Sequence, residues 1–439
     1  MASCVERSLG CIVFASDCSS LEAAFFKNGA FLSIPITLVH HQSKMPMKDL
    51  NFAMVAGEVS GDLLASLMMR GLQARFERAR FYGIGGPQMD ALGFESQWSF
   101  KKLAVRGYFE VLKHYREIVG IRESFFQNAQ SALPDVFIGV DAPDFNLALA
   151  QRFREKGVLS VQFVCPSIWA WRAQRVLKIA QSVDHVLCLF PFEPALLERH
   201  SISATFVGHP LAQVIPFEID ALKAKKSLGL PCDVPLVALL PGSRQSEVEH
   251  MARRFLRAAQ EMLTVKPEVR FVLPTPSASV NLIQGLLRQM NMSAYCTLLV
   301  GRSHECLAAC DVAMVASGTA TLEAALFKKP MVIAYHMNVF SWQIIKRQRL
   351  QPWVGLPNIL CEDFVVPELL QAHCSPESLA HETLKWFNQP QRVLQLVERF
   401  KALHLTLRQD TTALCADAIE QLLAQRMDPK KTALRVDPS

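Results

Sequence analysis

The chain has 439 residues, of which 50% are hydrophobic and 20% are charged. This length corresponds to about two or three domains, and the composition is that of a folded globular protein rather than a disordered or collagen-like one. The net charge of +6 is too small for a protein that binds duplex nucleic acid through its charge, so we expect no nucleic-acid partner. The 12 cysteines are scattered and form no CxxC pair, which favours free thiols in a reducing compartment, the cytoplasm.

The first 46 residues have no clear hydrophobic period. They contain neither the roughly 18 consecutive apolar residues of a spanning helix nor the pattern of a signal peptide. We therefore expect residues 1–46 to be an N-terminal extension outside the fold, and whether they belong to the mature protein stays open.

From residue 47 onward, short apolar runs alternate with segments of helical spacing, which is typical of parallel sheets covered on both faces. Strands are predicted at 51–56, 80–84, 135–140, 160–164, 185–189, 205–207, 236–240, 270–273, 298–300, 312–316 and 331–335. These runs predict an α/β protein with two tandem doubly wound Rossmann-like domains that face a cleft.

The predicted domains cover 47–215 and 216–395, with the connection between them near 210–235. Leucines and alanines at helical spacing predict a C-terminal helical segment over 396–425, bent near Asp410. The polar residues 426–439 are expected to form a frayed tail.

In sheets of this kind, ligands bind beyond the carboxyl ends of the strands. After the first predicted strand, Glu58 and Ser60 lie between two glycines at the start of a helix, whose N-terminus favours anions. The alternative is a tight turn in which Ser60 or Asp62 only caps the helix.

Two carboxylates follow the strand at 135–140. Asp141 comes directly after the strand, where its side chain reaches the cleft and can act as a general base toward a hydroxyl group. Asp144 is either a second group of this kind or the cap of the next helix.

Two tryptophans and an arginine follow the strand at 160–164, in the segment PSIWAWR. Trp169, Trp171 and Arg172 are either anchors of the core or a platform for a sugar or for apolar chains. Together with Glu58, Ser60 and Asp144, we assign them to the acceptor side of the cleft.

In the second half, two loops after strands are suited to a phosphate. Gly242 and Ser243 precede a helix and can surround a phosphate, which Arg244 can clamp, although the loop is not a Walker A motif. The second loop offers backbone amides and hydroxyls at Ser317, Gly318 and Thr319, and Glu323 follows one turn later. The alternative is a helix start that resembles a capping box.

A carboxylate at the position of Glu323 can accept hydrogen bonds from both hydroxyls of a ribose. The chain has no DxD and no HExxH, so we expect neither a metal ion nor another cofactor. A departing phosphate would then be neutralised by helix N-termini and Arg244.

Two segments combine aromatic and basic residues and are candidates for acyl-chain or membrane contact. The candidate residues are Tyr108, Phe109, Leu112, Phe340, Trp342, Lys346, Arg347 and Arg349. The second segment lies in the stretch 324–361, which has five cations, Lys328 and Lys329 included, and no acidic residue. The alternatives are an amphipathic helix facing the core for the first segment and a solvated helix face for the second.

Several of these segments together resemble one family, the lipid-A-disaccharide synthases, which are glycosyltransferases of the GT-B fold. The resemblance rests on AGEVSGD (56–62), GIGGPQM (83–89), GVDAPDFN (139–146), PSIWAWR (166–172), FVGHPL (206–211), LLPGSR (239–244), SGTATLE (317–323) and LPNIL (356–360). It covers about 50 to 425, in the order in which the family has these motifs.

The resemblance implies transfer from UDP-2,3-diacylglucosamine to 2,3-diacylglucosamine 1-phosphate (lipid X), which gives a β-1,6-linked disaccharide 1-phosphate and UDP. It implies that Asp141 is the general base, that Arg244 acts on the UDP side and that Asn358 faces the donor. The acid-free, five-cation stretch 324–361 favours a cytoplasmic protein that is peripheral on the inner membrane, while acyl-chain length and assembly into a homo-oligomer stay open. The alternatives are another GT-B enzyme, a UDP-sugar epimerase, or a binding module without catalysis.

Overall fold

The computed structural model describes residues 23–27, 30–34, 49–100, 103, 108–170, 173–242, 245–336 and 350–427. The chain divides into two units, Met1–Lys48 and Asp49–Ser439. In the first unit, strands β1 (Ala23–Lys27) and β2 (Ala30–Ile34) pair antiparallel. The expected extension thus contains a two-stranded sheet that its sequence did not indicate.

The second unit contains two parallel sheets. The first has seven strands: β3 (Leu50–Ala56), β4 (Ala79–Gly85), β5 (Glu95–Ser99), β6 (Val136–Val140), β7 (Leu159–Phe163), β8 (His185–Cys188) and β9 (Ala204–Phe206). The second has six strands: β10 (Leu236–Leu240), β11 (Arg270–Thr275), β12 (Cys296–Val300), β13 (Val312–Ala316), β14 (Met331–Tyr335) and β15 (Glu368–Leu370).

Helices separate most of these strands. They are α1 (Val59–Arg75), α2 (Pro87–Asp90), α3 (Tyr108–Gln130), α4 (Pro143–Glu155), α5 (Arg175–Ser182), α6 (Glu193–Glu198), α7 (Leu211–Val214), α8 (Ala221–Ser227), α9 (Gln245–Val265), α10 (Val280–Gln289), α11 (Ser303–Ala309), α12 (Thr319–Leu326), α13 (Leu356–Cys361), α14 (Pro376–Phe387), α15 (Pro390–Leu407) and α16 (Thr411–Met427). None of the helices in the described part of the chain is long and apolar enough to cross a membrane.

The predicted strands are all present: most of them form the centres of the two sheets, and β9 and β12 lie at edges. β6, β7, β8 and β10 are buried along their whole length, as parallel strands covered by helices on both faces must be. The sequence did not indicate β5 and β15, which lie at the edges of their sheets and carry polar or half-exposed residues.

Both sheets are doubly wound around their first strand. The strand order is β5-β4-β3-β6-β7-β8-β9 in the first sheet and β12-β11-β10-β13-β14-β15 in the second. The order therefore reverses between β3 and β6, and again between β10 and β13. Loops that leave neighbouring strands at such a reversal diverge to opposite faces and open a crevice for a ligand.

The C-terminal helices return to the first sheet. The predicted bend lies between α15 and α16, where the Asp410 side chain accepts a hydrogen bond from the Ala413 N–H. α16 then packs against α1 so closely that a Cβ on Gly71 would lie 2.2 Å from the Thr412 carbonyl oxygen. Arg75 of α1 also binds the Glu420 carboxylate at 2.9 Å. The chain end therefore joins the elements of both sheets.

The nine cysteines in the described residues are free, and most of them are buried. Burial raises the thiol pKa of Cys296 and Cys306 to about 12 and that of Cys310 to about 11, so these thiols stay protonated at neutral pH. They act as small apolar side chains of the second core.

Candidate active site

A cleft of about 670 Å³ lies beyond the carboxyl ends of the central strands of both sheets. Of the residues predicted for the site, it brings together Glu58, Ser60, Asp141, Gly242, Ser317, Gly318, Thr319 and Glu323. All eight follow β3, β6, β10 or β13, the four strands at the two reversals of strand order. The topology of the sheets thus explains why residues far apart in sequence meet in one cleft.

The loop after β3 supplies Glu58 and Ser60. Glu58 is the extended residue before α1, and neither it nor Ser60 caps the helix with its side chain. Asp62 does not cap α1 either, because it is 2% exposed and accepts N–H hydrogen bonds of 3.0–3.1 Å from Gly86, Gln88 and Met89. The carboxylate therefore fixes the neighbouring GIGGPQM loop.

Asp141 lies at an unusual turn between β6 and α4. Asp141 and Ala142 have φ angles of +52° and +42°, a left-handed conformation that costs a residue other than glycine about 1–3 kcal/mol. Two fully buried side chains hold the turn: the amides of Asn146 and Gln162 donate to the Asp141 carbonyl oxygen at 2.8 and 3.0 Å. At this strained turn, Asp141 lines the cleft.

The loop after β10 forms part of the opposite wall. Gly242 has a φ of +128°, and a Cβ there would lie 2.7 Å from the Cβ of Glu247 in the first turn of α9. Glu247 itself lines the cleft. Ser243 and Arg244, predicted to bind a phosphate, lie outside the described residues.

The loop after β13 completes this wall. Gly318, with a φ of +147°, directs the chain into α12, whose first turn lines the cleft with Thr319 and Ala320. Glu323 lies one turn further along and is 19% exposed. The Nε2 atom of His304 lies 3.6 Å from the Glu323 Oε2 atom, and this carboxylate raises the pKa of His304.

Two further loops reach the cleft without having been predicted. Thr275 ends β11 and Pro276 follows it, and Gly301 and Ser303 follow β12. The Thr275 hydroxyl is buried and has no hydrogen-bond partner among the described residues. The signal that could have identified these residues is their position directly after two predicted strands.

The cleft wall is acidic. Glu58, Asp141, Glu247 and Glu323 line it, whereas no lysine or arginine occurs among its described lining residues. Four carboxylates around one cavity can accept hydroxyl protons and hydrogen bonds, but an anionic ligand there needs a compensating positive charge. In the described ranges, no group of three or more His, Cys, Asp and Glu side chains is arranged to hold a metal ion.

Asn358, predicted as a donor-side residue, is not among the described residues that line the cleft. Its side chain is fully buried and exchanges two hydrogen bonds with the backbone of Val366, at 2.9 and 3.0 Å. It also donates to the Glu368 carboxylate at 2.9 Å, and this carboxylate in turn holds the N–H of Gly355 at 2.8 Å. Asn358 thus fixes the turn at the start of α13.

Trp169 is an anchor of the core and not an exposed platform. It is 9% exposed, its indole N–H donates to the Glu193 carboxylate at 2.9 Å, and Phe190 and Phe192 pack edge-on against its ring.

Asp144 does not line the cleft and does not cap its helix; it is exposed and paired with Arg175 at 2.6 Å. Trp171 and Arg172 lie outside the described residues.

The acyl-chain and membrane candidates are mostly outside the described structure. Tyr108, Phe109 and Leu112 belong to α3, but their side chains are not among those described. Phe340, Trp342, Lys346, Arg347 and Arg349 lie in the range 337–349, which is also outside it.

Two lysines of the acid-free stretch 324–361 are interior residues, which corrects their assignment to a charged surface. Lys328 is 8% exposed and donates to His404 Nδ1 and to the Pro216 carbonyl oxygen. Lys329 is 9% exposed and donates to the carbonyl oxygens of Ala308 and Cys310. Their ammonium groups join elements of the second domain and are not available to a membrane.

A family model described as "Lipid-A-disaccharide synthetase" matches residues 52–420. This match includes both sheets and every described wall of the cleft. The chain belongs to this family. Its members are enzymes of lipid A biosynthesis.

Curated relatives carry the same name. The lipid-A-disaccharide synthase of Albidiferax ferrireducens is 54% identical over 379 residues, which cover 85% of this chain and 97% of the relative. That of Aromatoleum aromaticum is 49% identical over 369 residues, covering 84% and 94% of the two chains.

Solved structures of distantly similar proteins share the fold of this chain. A calicheamicin glycosyltransferase superposes with a TM-score of 0.57 at 13% identity, covering 87% of this chain and all of that one. The UDP-GlcNAc 2-epimerase of Neisseria meningitidis, bound to UDP-GlcNAc, gives a TM-score of 0.56 at 11% identity over 86% of this chain and all of that one. The two-domain α/β architecture is the GT-B fold predicted from the sequence.

Proposed function

We propose that this chain transfers the sugar of UDP-2,3-diacylglucosamine to 2,3-diacylglucosamine 1-phosphate and releases UDP. The observation that supports this reaction best is a single cleft with Asp141 of the first domain on one wall and the start of α12 of the second on the other. A base on one side and an anion-binding helix start on the other are the two groups that a single displacement needs.

In this mechanism, Asp141 removes the proton of the acceptor hydroxyl as that oxygen attacks the anomeric carbon of the donor. The bond from that carbon to the UDP oxygen breaks in the same step, so an α-linked donor gives a β-linked product. Asp141 is suited to this role because Asn146 and Gln162 hold its backbone, leaving its side chain in the cleft.

On the donor side, we assign the diphosphate to the loops at Gly242 and at 317–319, and the ribose hydroxyls to Glu323. The departing UDP is anionic, whereas the described lining of the cleft contributes four carboxylates. Arg244 follows the loop at Gly242 directly and is the residue that we assign to balance this charge. Glu58 and Ser60 are assigned to the acceptor sugar because they share the wall of Asp141.

The acyl chains of both substrates require an apolar environment, and we propose peripheral binding to the cytoplasmic face of the inner membrane. The sequence supports this assignment, because no acidic residue lies between Glu323 and Glu362. This stretch contains Phe340, Trp342, Lys346, Arg347 and Arg349. Replacing the three cations by glutamine should reduce sedimentation with vesicles that contain anionic lipid. Binding equal to that of the unchanged protein would contradict the assignment.

The reaction is tested by incubating the full chain with UDP-2,3-diacylglucosamine and 2,3-diacylglucosamine 1-phosphate, followed by mass spectrometry. The disaccharide 1-phosphate and UDP should appear together in equal amounts, and neither should form when the acceptor is omitted. A folded protein that yields no disaccharide would contradict the proposal. Formation of an epimerised UDP-sugar would favour the epimerase alternative instead.

A further inference from the structure

His304 connects two of the loops that line the cleft. It is the second residue of α11, which follows β12, and its Nε2 atom lies 3.6 Å from Oε2 of Glu323 on α12. Neighbouring Ser303 lines the cleft, as does Glu323. The histidine therefore stands beside the carboxylate that the proposed function assigns to the ribose.

A second contact restricts the orientation of the imidazole. The ring of Phe327, one turn beyond Glu323, lies 5.4 Å from the His304 ring centroid at an interplanar angle of 60°. Phe327 is 4% exposed and belongs to the second hydrophobic core, so it is a fixed support. The imidazole is thus held between a rigid aromatic ring and the carboxylate.

The charges around His304 favour this contact. Glu323 and Glu305 raise the pKa of His304, and burial opposes them. Arg302, the other charged residue of this turn, is engaged with Glu305 at 3.2 Å. The imidazole therefore carries a larger positive charge near neutral pH than an isolated histidine would, and its nearest carboxylate is Glu323.

A glutamate side chain has several rotatable bonds, and a bidentate contact with two neighbouring hydroxyls requires one orientation of the carboxylate. Each carboxylate oxygen can accept about two hydrogen bonds, so an imidazole 3.6 Å from Oε2 leaves room for both hydroxyls. A partner that fixes the carboxylate before the ligand arrives reduces the entropy lost on binding.

We propose that His304 is a positioning residue that fixes the Glu323 carboxylate for the cis-diol of a ribonucleotide, so that it selects ribose over 2′-deoxyribose. This inference rests on the proposed function, because it requires that UDP binds with its ribose at Glu323. It identifies a specificity device that acts through Glu323 and not through contact with the ligand.

The test is equilibrium binding of UDP and of 2′-deoxy-UDP to the full chain by titration calorimetry. The unchanged protein should bind UDP at least about tenfold more tightly than 2′-deoxy-UDP, because the deoxy ligand loses a hydrogen bond to a charged acceptor. His304→Ala should lower this ratio at least about fivefold while leaving the affinity for 2′-deoxy-UDP within about twofold. His304→Gln, which keeps an N–H near the same place, should restore part of the ratio. His381→Ala, at an exposed histidine of α14, is the matched control and should leave the ratio unchanged.

A His304→Ala protein that keeps the full ratio, or that loses affinity for both ligands equally, would overturn the inference and leave the proposed reaction standing. An unchanged protein that binds both ligands equally would overturn the role of Glu323 and the inference with it. An unchanged protein that binds neither ligand would contradict the proposed function itself.

Discussion

The side-chain amide of Asn146 donates a hydrogen bond of 2.8 Å to the carbonyl oxygen of Asp141. The same amide lies 3.3 Å from the carbonyl oxygen of Val55 and 3.4 Å from that of Val140, so one buried side chain connects the ends of β3 and β6. Asn146 therefore holds the strained turn that presents Asp141 to the cleft.

Asn146→Ala should consequently lower turnover by roughly tenfold to a hundredfold, since small displacements of a catalytic group have effects of this size. The affinity for UDP should change by less than about twofold, because the donor loops lie on the other domain. Steady-state turnover together with calorimetric UDP binding measures both quantities. Asn128→Ala, at an exposed asparagine of α3, is the control. Normal turnover in a folded Asn146→Ala protein would show that the turn keeps its geometry without this amide.

The contact between α1 and α16 predicts opposite effects of the same substitution at two helical glycines. Gly71→Ala should lower the melting temperature, because its Cβ would lie 2.2 Å from the Thr412 carbonyl oxygen and would force the helices apart. Gly285→Ala, in α10 with no atom within 4 Å of the added Cβ, should raise it through a helix preference of about 1 kcal/mol. Thermal unfolding followed by circular dichroism measures both. Equal shifts in the two variants would contradict the close approach of α16.

Asp62 should stabilise the fold and not act in catalysis. Its carboxylate accepts three backbone N–H groups of the loop at 86–89, and the Asp62→Ala change would leave these donors without partners. The free energy of unfolding should fall by about 2–4 kcal/mol, as expected for buried hydrogen bonds to a charged group. Chemical denaturation measures this loss, with the exposed Asp49→Ala as the control. A loss below about 0.5 kcal/mol would contradict this role.

The buried carboxyl of Glu193 predicts a dependence of stability on pH. Burial raises the pKa of Glu193 to about 7, against 4.5 for the free side chain. Between these values, the folded chain holds a proton that the unfolded chain has released, so the free energy of unfolding falls as the pH rises through this window. The size of this loss is on the order of 3 kcal/mol.

Glu193→Gln should abolish the loss, because a glutamine stays neutral. Its stability relative to the unchanged protein should therefore improve from pH 4.5 to pH 7.5, as measured by urea denaturation at both pH values. Burial lowers the pKa of His185 and His209 to about 4, which gives the opposite slope, but this effect cancels in the difference. Glu198→Gln, at an exposed position of α6, is the control. A difference that does not change with pH would contradict the raised pKa.

The sequence predicts every central strand of the two sheets, but of the four edge strands it predicts only β9 and β12. A run such as Leu236–Leu240 is apolar throughout because helices cover both of its faces. The edge strand Glu95–Ser99 is mostly exposed and polar, so no hydrophobic pattern marks it. Proline sets a second limit, because it cannot donate to the hydrogen-bond ladder of a sheet. The predicted run of β11 therefore ends before Pro274. The strand continues to Thr275, and this cleft residue was missed.

The predicted site residues that line the cleft are those that directly follow the central strands, because topology alone determines their position. The burial of a side chain inside a domain cannot be predicted in this way, because it depends on packing between distant segments. The sequence pattern predicts Lys328 as a surface cation, but a left-handed backbone, with a φ of +57°, places it beside His404, 76 residues away. The prediction for Asn358 rests on a resemblance alone, and its sequence neighbours do not indicate its hydrogen bonds to Val366.

Turnover of Asp141→Asn, measured as disaccharide 1-phosphate by mass spectrometry, tests the central claim most directly. We expect a loss of at least ~100-fold, because the acceptor hydroxyl loses its general base, with UDP affinity unchanged within about twofold. Asp233→Asn, at an exposed aspartate outside the cleft, should keep normal turnover. Normal turnover in a folded Asp141→Asn protein would contradict the account, because the cleft would then work without the base assigned to it.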